Sequence, residues 1–157
     1  MIPKNSPAKR DFLFKEITKH SVSWSVGTAS VEEIDSINIL QATLLAMDRA
    51  VSGLLKQPEY ILVDALRMPG IKIPQLPIIK GDANSVSIAA ASIIAKVTRD
   101  RMMDKLEKLY PGYGFASHKG YGTTEHLAAL RAFGTSPMHR KTFTRNFTAS
   151  EIQGRLW

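Results

Sequence analysis

Apolar positions in the first third of the chain recur at helical spacing, with one alternating segment between two helices. The segment from Ala8 to about His20 predicts a helix, because its apolar residues fall on one side. Residues 22–26 alternate apolar and polar side chains, which is typical of a half-buried strand. Ser30 and Glu33 form a capping-box pattern and therefore predict the start of a second helix. That helix is expected to end near Gly53, with an apolar stripe made of Ile37, Leu40, Leu44, Met47, Val51 and Leu54.

Two short apolar runs follow, and they predict buried strands that end near Asp64 and Asp82. A proline-rich connection separates them. From about Ser85 to Leu109 the sequence predicts a long helix that Pro111 and Gly112 stop. Its apolar stripe is expected to consist of Ala91, Ala95, Met102, Leu106 and Leu109. A last helix, capped by Thr123 or Thr124, is expected to reach Gly134. Helices that alternate with strands favour an α/β architecture.

The most informative acids of the chain stand at the ends of these two apolar runs. A carboxylate at the end of a buried strand is costly unless a cation or another partner compensates its charge. Asp64 and Asp82 therefore suggest a divalent metal and a polyanionic substrate. Each also has a simpler interpretation, as an aspartate that forms the turn after a strand.

Composition narrows the class of protein only moderately. The 157 residues fit one domain, and 21 Lys and Arg against 14 Asp and Glu give a formal net charge of +7. That charge suits a phosphate-bearing partner, although a basic protein without such a partner explains it equally well. The absence of cysteine excludes disulfides and thiolate metal sites. Without an apparent signal peptide or an apolar run long enough to span a membrane, the chain is expected to be cytoplasmic.

Several short blocks follow one another in a fixed order along the chain. They are Glu33-Ile34-Asp35 with Asn38-Ile39-Leu40-Gln41-Ala42-Thr43, Val63-Asp64, Lys80-Gly81-Asp82, Ser92 to Asp100, Tyr113-Gly114-Phe115, His118-Lys119-Gly120-Tyr121, Ser136-Pro137 and His139-Arg140. Together these blocks resemble one family, ribonuclease H type 2 (bacterial ribonuclease HII), and the resemblance covers about Pro7 to Phe147.

The resemblance implies a ribonuclease H-like fold and an endonuclease that cuts the RNA strand of RNA–DNA hybrids, including single ribonucleotides embedded in DNA. It also implies Mg²⁺ or Mn²⁺ held by four carboxylates, two of which correspond to Asp64 and Asp82. These two are thus the expected catalytic and metal-binding residues, since two hard cations can activate a water and stabilise the leaving oxygen.

Two features of the family pattern are missing or altered. The Asp-Glu-x-Gly-Arg-Gly motif that supplies the other acids does not occur, and Ala65 stands where the family usually has Gly. The expectation is therefore a single, incomplete domain over residues 1–157, a ribonuclease H-like fold truncated by the first strands of its mixed central sheet. The alternative to an active nuclease is a catalytically inactive remnant with at most residual nucleic-acid binding.

Residues for nucleic-acid contact are also implied by the resemblance. Tyr121 is expected to pack against a sugar at the RNA–DNA junction, and a partly buried loop tyrosine is the equal alternative. Lys80, Lys96 and Lys119 are candidates for phosphate contacts, as are Arg140 and Lys141, and a solvated basic face explains most of them equally well.

Three further interpretations complete the picture. Asp100 lies between two arginines in a helix and is expected to be a structural ion-pair or capping partner rather than a metal ligand. His118 and His139 suit either proton transfer or, more commonly, ordinary loop hydrogen bonds. The last residues, 148–157, are expected to be a flexible tail, in which Gln153, Leu156 and Trp157 weakly resemble a replication-clamp peptide.

Overall fold

The computed structural model describes residues 6–144, which fall into two units. One unit contains residues 6–29 and 40–98, and the other contains residues 30–39 and 99–144. The elements along the chain are α1 (Pro7–His20), α2 (Val31–Ser52), β1 (Ile61–Asp64), β2 (Gln75–Ile78), α3 (Gly81–Asn84), α4 (Val86–Leu109), α5 (Phe115–His118), α6 (Thr124–Phe133) and α7 (Lys141–Thr144).

Three of the predicted helix starts are confirmed together with their physical cause. Ser6 caps α1 by accepting the amide of Lys9 at 3.3 Å. The capping box is present at the start of α2, where the Glu33 carboxylate accepts the amide of Ser30 at 2.8 Å and the Ser30 hydroxyl accepts the amide of Glu33 at 3.2 Å. Thr123, rather than Thr124, caps α6. These caps satisfy amides that have no partner inside the helix.

The first unit contains a two-stranded parallel sheet. Strands β1 and β2 pair from Ile61 opposite Gln75 to Asp64 opposite Ile78. The connection between them is too short for the usual crossover helix. Instead, the Gln75 amide side chain accepts from the amide of Met68 and donates to its carbonyl, both at 2.8 Å. Met68 is buried, so a single glutamine and one apolar side chain fix this loop.

The strand expected over residues 22–26 is wrong. The structure gives this segment no strand, and among residues 6–144 the only sheet is the β1–β2 pair. Val22 is 83% exposed, although the alternation had placed it on the buried face. An alternating pattern becomes a strand only where another strand supplies hydrogen-bond partners, and this segment packs against helices instead. Gly27 lies against the backbone of α2, and Phe14 meets Trp24 edge to face.

The expected apolar stripes are only partly correct. In α4 the buried residues are Ile88, Ile93, Ile94 and Val97, whereas Ala91, Ala95, Met102 and Leu109 are exposed. The predicted stripe therefore picked the wrong face, since the alanines line solvent and the isoleucines line the core. Helix α2 is interrupted at Asn38, whose φ of 68° and ψ of 166° lie in a region that is essentially restricted to glycine, so the backbone is strained at this position. Its Ile37 and Leu40 are exposed rather than part of a continuous stripe.

Buried apolar residues form the core of each unit separately. In the first unit they are Ala42, Val63, Met68, Ile88, Ile93, Ile94 and Val97, and in the second they are Phe115, Ala129 and Leu130. Among residues 6–144, no helix combines the length and apolar character needed to cross a membrane.

Candidate functional site

The two candidate acids lie at the carboxyl end of the β1–β2 pair. Asp64 is the last residue of β1 and is exposed. Asp82 lies in α3, the single helical turn that follows β2 after two residues, and it is 9% exposed. The sequence had placed Asp82 at the end of a strand, but that strand ends at Ile78. The acid instead stands on a helical turn next to the strand end.

A hydrogen bond joins Asp64 to the residue before Asp82. The amide of Gly81, the residue before Asp82, donates to Oδ1 of Asp64 at 2.9 Å. The approach is close because Gly81 is buried and has no Cβ. A Cβ built there would lie 3.4 Å from the Cα of Asp64 and 2.5 Å from Cδ1 of Ile88. Glycine at this position therefore lets the first turn of α3 pack against Ile88 of α4 while its amide reaches the end of β1.

The backbone around both acids is unusual. Ala65, directly after Asp64, has a φ of 60°, and Lys80, directly before Gly81, has a φ of 53°. Non-glycine residues seldom adopt this left-handed conformation, and it often marks a functional or strained site. At position 65 the resemblance leads us to expect glycine, which would adopt this positive φ without penalty.

Two of the lysines expected to contact phosphates lie in the first unit. Lys80 is exposed and directly precedes the Gly81–Asp82 turn. Lys96 lies within α4 and is half-buried. Among residues 6–144, no cluster of three or more His, Asp or Glu side chains has the arrangement of a metal site. Within these residues, Asp64 is therefore linked to the neighbour of Asp82 through the Gly81 amide, and the two acids belong to no group of three such side chains.

The second unit carries the candidate aromatic contact. Tyr121 lies in a loop between α5 and α6 and is 64% exposed. The neighbouring Lys119 has a φ of 52° and forms a salt bridge with Asp104. The guanidinium of Arg140 stacks on the ring of Phe143, 3.7 Å from its centroid. Lys141 contributes its backbone amide, which donates to Asp35 at 2.8 Å.

His118 and His139 are buried and hydrogen-bonded, which agrees with the commoner of the two sequence interpretations. Sequence reasoning missed their neighbour His126, whose Nε2 lies 3.0 Å from Nε2 of His139. The sequence does contain a signal for this cluster, because three of the four histidines of the chain fall between positions 118 and 139. The clamp-like residues Gln153, Leu156 and Trp157, and the tail they belong to, lie outside the described residues.

Comparison with known proteins agrees with this picture. Residues 4–146 match the family model described as Ribonuclease HII. The chain is 58% identical over 140 residues to the ribonuclease HII of Desulfitobacterium hafniense (strain DSM 10664 / DCB-2), covering 89% of this chain and 54% of the relative. It is 54% identical over 143 residues to that of Clostridioides difficile (strain 630), covering 91% and 56%. The chain thus spans about half the length of the curated relatives it matches.

A solved structure supports the fold. The ribonuclease H2 from Pyrococcus horikoshii OT3 is similar with a TM-score of 0.71 and 27% identity, over 97% of this chain and 78% of that one. The α/β, ribonuclease H-like fold expected from the sequence is therefore confirmed.

Proposed function

Because the chain belongs to the ribonuclease HII family, we propose that it serves in hydrolysis of the RNA strand of RNA–DNA hybrids and at ribonucleotides embedded in DNA. The observation that carries this proposal is the hydrogen bond from the Gly81 amide to the Asp64 carboxylate. It brings an acid at a strand end next to a second, buried acid, within the region that matches the family. The cytoplasmic location expected from the sequence stays a prediction.

We propose that Asp64 and Asp82 hold Mg²⁺ or Mn²⁺. Mg²⁺ takes oxygen ligands and keeps several waters, so it is commonly bound through one or two carboxylates together with substrate phosphates. The pair fits that pattern, since no third acidic or histidine ligand joins it among residues 6–144. When bound, such an ion supplies an activated water and stabilises charge on the leaving oxygen. The protein's own part is to hold the Asp64 carboxylate in place through the Gly81 amide.

For the nucleic acid, we propose that exposed Tyr121 packs against a sugar or base and that lysines contact phosphates. Lys80 is the cation best placed to act with the acids, because it is exposed and lies directly before the Gly81–Asp82 turn. Lys96 is a further candidate in the same unit. A phosphate contact by Lys119 would have to compete with its salt bridge to Asp104. The net charge of +7 favours polyanion binding in general.

A second candidate function is nucleic-acid binding without cleavage. It is favoured by the same absence of a third acidic or histidine ligand in the described part of the chain. Cations held by two carboxylates keep much of their positive charge and are less firmly positioned than in a four-carboxylate site. Binding through lysines does not depend on a firmly positioned cation, whereas catalysis does.

The experiment combines cleavage with metal binding. Purified chain is incubated with a duplex carrying one ribonucleotide, in Mg²⁺ or Mn²⁺, and Mn²⁺ binding is followed separately by electron paramagnetic resonance. Asp64→Asn and Asp82→Asn are expected to abolish cleavage and weaken Mn²⁺ binding by roughly tenfold or more. Asp48→Asn, an exposed acid in α2, is the matched control and should change neither.

The outcomes separate the two candidates. Cleavage lost in both site variants and kept in the control supports the nuclease. Cleavage that persists in both site variants contradicts the assigned roles of these acids. Hybrid binding without cleavage by folded wild-type chain favours the second candidate.

A further inference from the structure

Three imidazole rings form a packed, hydrogen-bonded group beneath the loop that carries Tyr121. We define the histidine cluster as His118, His126 and His139, and the Tyr121 loop as residues 119–123. The cluster members come from the end of α5, the first turn of α6 and the loop after α6, and they are 6–8% exposed. The rings of His118 and His126 are stacked with centroids 4.1 Å apart. The cluster is therefore a buried unit built from three separate segments.

Backbone partners fix the protonation of two rings, since an amide N–H only donates and a carbonyl only accepts. In His118, Nε2 lies 2.6 Å from the carbonyl of Tyr113 and carries the hydrogen, while Nδ1 accepts the amide of Gly120 at 3.1 Å. In His126, Nδ1 lies 2.9 Å from the carbonyl of Tyr121 and carries the hydrogen. Its Nε2 is then left as an acceptor.

The third ring completes the set. Nδ1 of His139 accepts the amide of Ser136 at 3.0 Å, so its hydrogen is on Nε2. That hydrogen points to the acceptor Nε2 of His126, 3.0 Å away. All three rings are thus neutral, and each ring nitrogen has a partner of the matching kind. A proton added to His126 would place an N–H against the N–H of His139 and break a hydrogen bond. A proton added to Nδ1 of His139 would meet the N–H of Ser136, and the acceptor beside it is the Ser136 hydroxyl, 2.8 Å away.

Two of these bonds hold the backbone on either side of the Tyr121 side chain. His118 accepts the amide of Gly120, and His126 donates to the carbonyl of Tyr121. The loop itself contains two successive residues of positive φ, Lys119 at 52° and Gly120 at 82°. An exposed aromatic ring carried on a backbone that is held from below is pre-organised for stacking.

We propose that His118, His126 and His139 are positioning residues, whose hydrogen-bonded cluster fixes the Tyr121 loop for nucleic-acid contact, and that protonation of His126 or His139 releases the loop. The consequence for binding rests on the proposed function, because it assumes that Tyr121 meets the nucleic acid. The release of the loop by acid does not depend on that assumption. Loop order and nucleic-acid binding are therefore measured separately.

The charges around the cluster support this assignment. Burial is the main cause that lowers the pKa of His126 and His139, and for His139 the nearby His126 adds to it. Charged side chains on the segments that carry or flank the cluster have partners of their own or are exposed. Lys119 forms a salt bridge with Asp104, and Arg99 donates to the carbonyl of Lys119. Glu107 accepts the amide of Ala116, and Arg140 stacks on the ring of Phe143. Glu125 and Arg131 are exposed.

The direction of the pH effect follows. The folded-state pKa values of His126 and His139 lie below the ordinary 6.5, so the unfolded chain binds more protons just below that pH. The stabilising contribution of the neutral cluster is therefore complete above pH 6.5 and is lost as the pH falls through the lowered values. The Tyr121 loop should be ordered at pH 7.5 and released in acid.

The first test is nuclear magnetic resonance on the whole chain. Long-range ¹H–¹⁵N spectra at pH 7.5 should show His126 with its hydrogen on Nδ1, and His118 and His139 with theirs on Nε2. Exposed His20 in α1 is the reference ring. Acidification to pH 5.5 should reduce the exchange protection of the Gly120 amide by about tenfold, relative to core amides. A different tautomer in His126, or unchanged Gly120 protection, overturns the proposal.

The second test separates positioning from structure. His126→Asn keeps an N–H donor for the Tyr121 carbonyl but removes the titrating ring, whereas His126→Phe removes both. Binding of an RNA–DNA hybrid is measured between pH 5.5 and 8 by fluorescence anisotropy. His126→Asn should bind with a flatter pH profile than wild type, and Tyr121→Leu should bind weakly at every pH. Should His126→Phe not fold, His126→Asn alone decides the question.

The two proposals fail in different ways. Wild type that does not bind the hybrid at any pH, while its Gly120 amide still loses protection in acid, contradicts the role of Tyr121 in nucleic-acid binding. That result still supports the release of the Tyr121 loop by protonation of the histidine cluster. If the hybrid binds and His126→Asn keeps the wild-type pH profile, the positioning role is refuted and the proposed function stands.

Discussion

Replacing Gly81 by alanine tests whether the packing of α3 on β1 holds the two acids together. The added Cβ would lie 2.5 Å from Cδ1 of Ile88, 3.3 Å from its Cγ2 and 3.4 Å from the Cα of Asp64. Ile88 is 6% exposed, so its side chain has little room to move aside. The substitution should displace the first turn of α3 from Ile88 of α4 and so disturb the hydrogen bond from residue 81 to Asp64.

The expected magnitude combines two opposing effects. Overpacking a buried site costs about 1–3 kcal/mol. The exchange of glycine for alanine raises the free energy of unfolding by about 0.4–1 kcal/mol, because alanine restricts the unfolded chain. A net loss of about 1–2 kcal/mol in the free energy of unfolding is expected. Mn²⁺ binding should weaken as well, because the Asp64 carboxylate loses its fixed orientation.

The assay is urea unfolding followed by far-ultraviolet circular dichroism, in wild-type and Ile88→Val backgrounds. Valine lacks Cδ1, so Gly81→Ala should cost about 1 kcal/mol less in that background, a coupling that the double-mutant cycle measures directly. Gly70→Ala is the matched control, since a Cβ there meets nothing within 4 Å. An equal cost of Gly81→Ala in both backgrounds would refute the packing argument.

Three further predictions concern other contacts. Gly27→Ala should destabilise by about 3 kcal/mol, because its Cβ would overlap the backbone carbonyl of Ala46 in α2; a urea-measured loss below about 1 kcal/mol would contradict this. Ser30→Ala should cost about 0.5–2 kcal/mol in the same assay by removing the cap of α2, and an unchanged midpoint would exclude that role. Asp35→Asn should shift the amide resonances of residues 141 and 142, which donate to this carboxylate. The hydroxyl of Thr142, followed by these amides, lowers the pKa of Asp35 below 3.8, so wild type should keep the contact at neutral pH and lose it only as the pH falls through that lowered value.

The helix ends and the candidate acids could be predicted from the sequence because each depends on local chemistry. A hydroxyl three residues before an acidic side chain is enough to cap α2, and a proline-glycine pair is enough to end α4. The assignment of Asp64 and Asp82 needed only their position after apolar runs and the family motifs around them. Their shared use of Gly81 could not be predicted, since it depends on how closely α3 approaches β1.

What the sequence by itself determined is therefore the order of the four long helices and the two strands, the capping box of α2, and the family. The tertiary structure alone decided which faces are buried and which side chains meet. The alternating segment at residues 22–26 formed no strand, because strand formation needs a partner that local pattern does not reveal. The alanine face of α4 turned out exposed, because the free energy gained by burying isoleucine exceeds that for alanine. The histidine cluster joins three segments, so its tautomers follow only from hydrogen bonds that the folded chain creates.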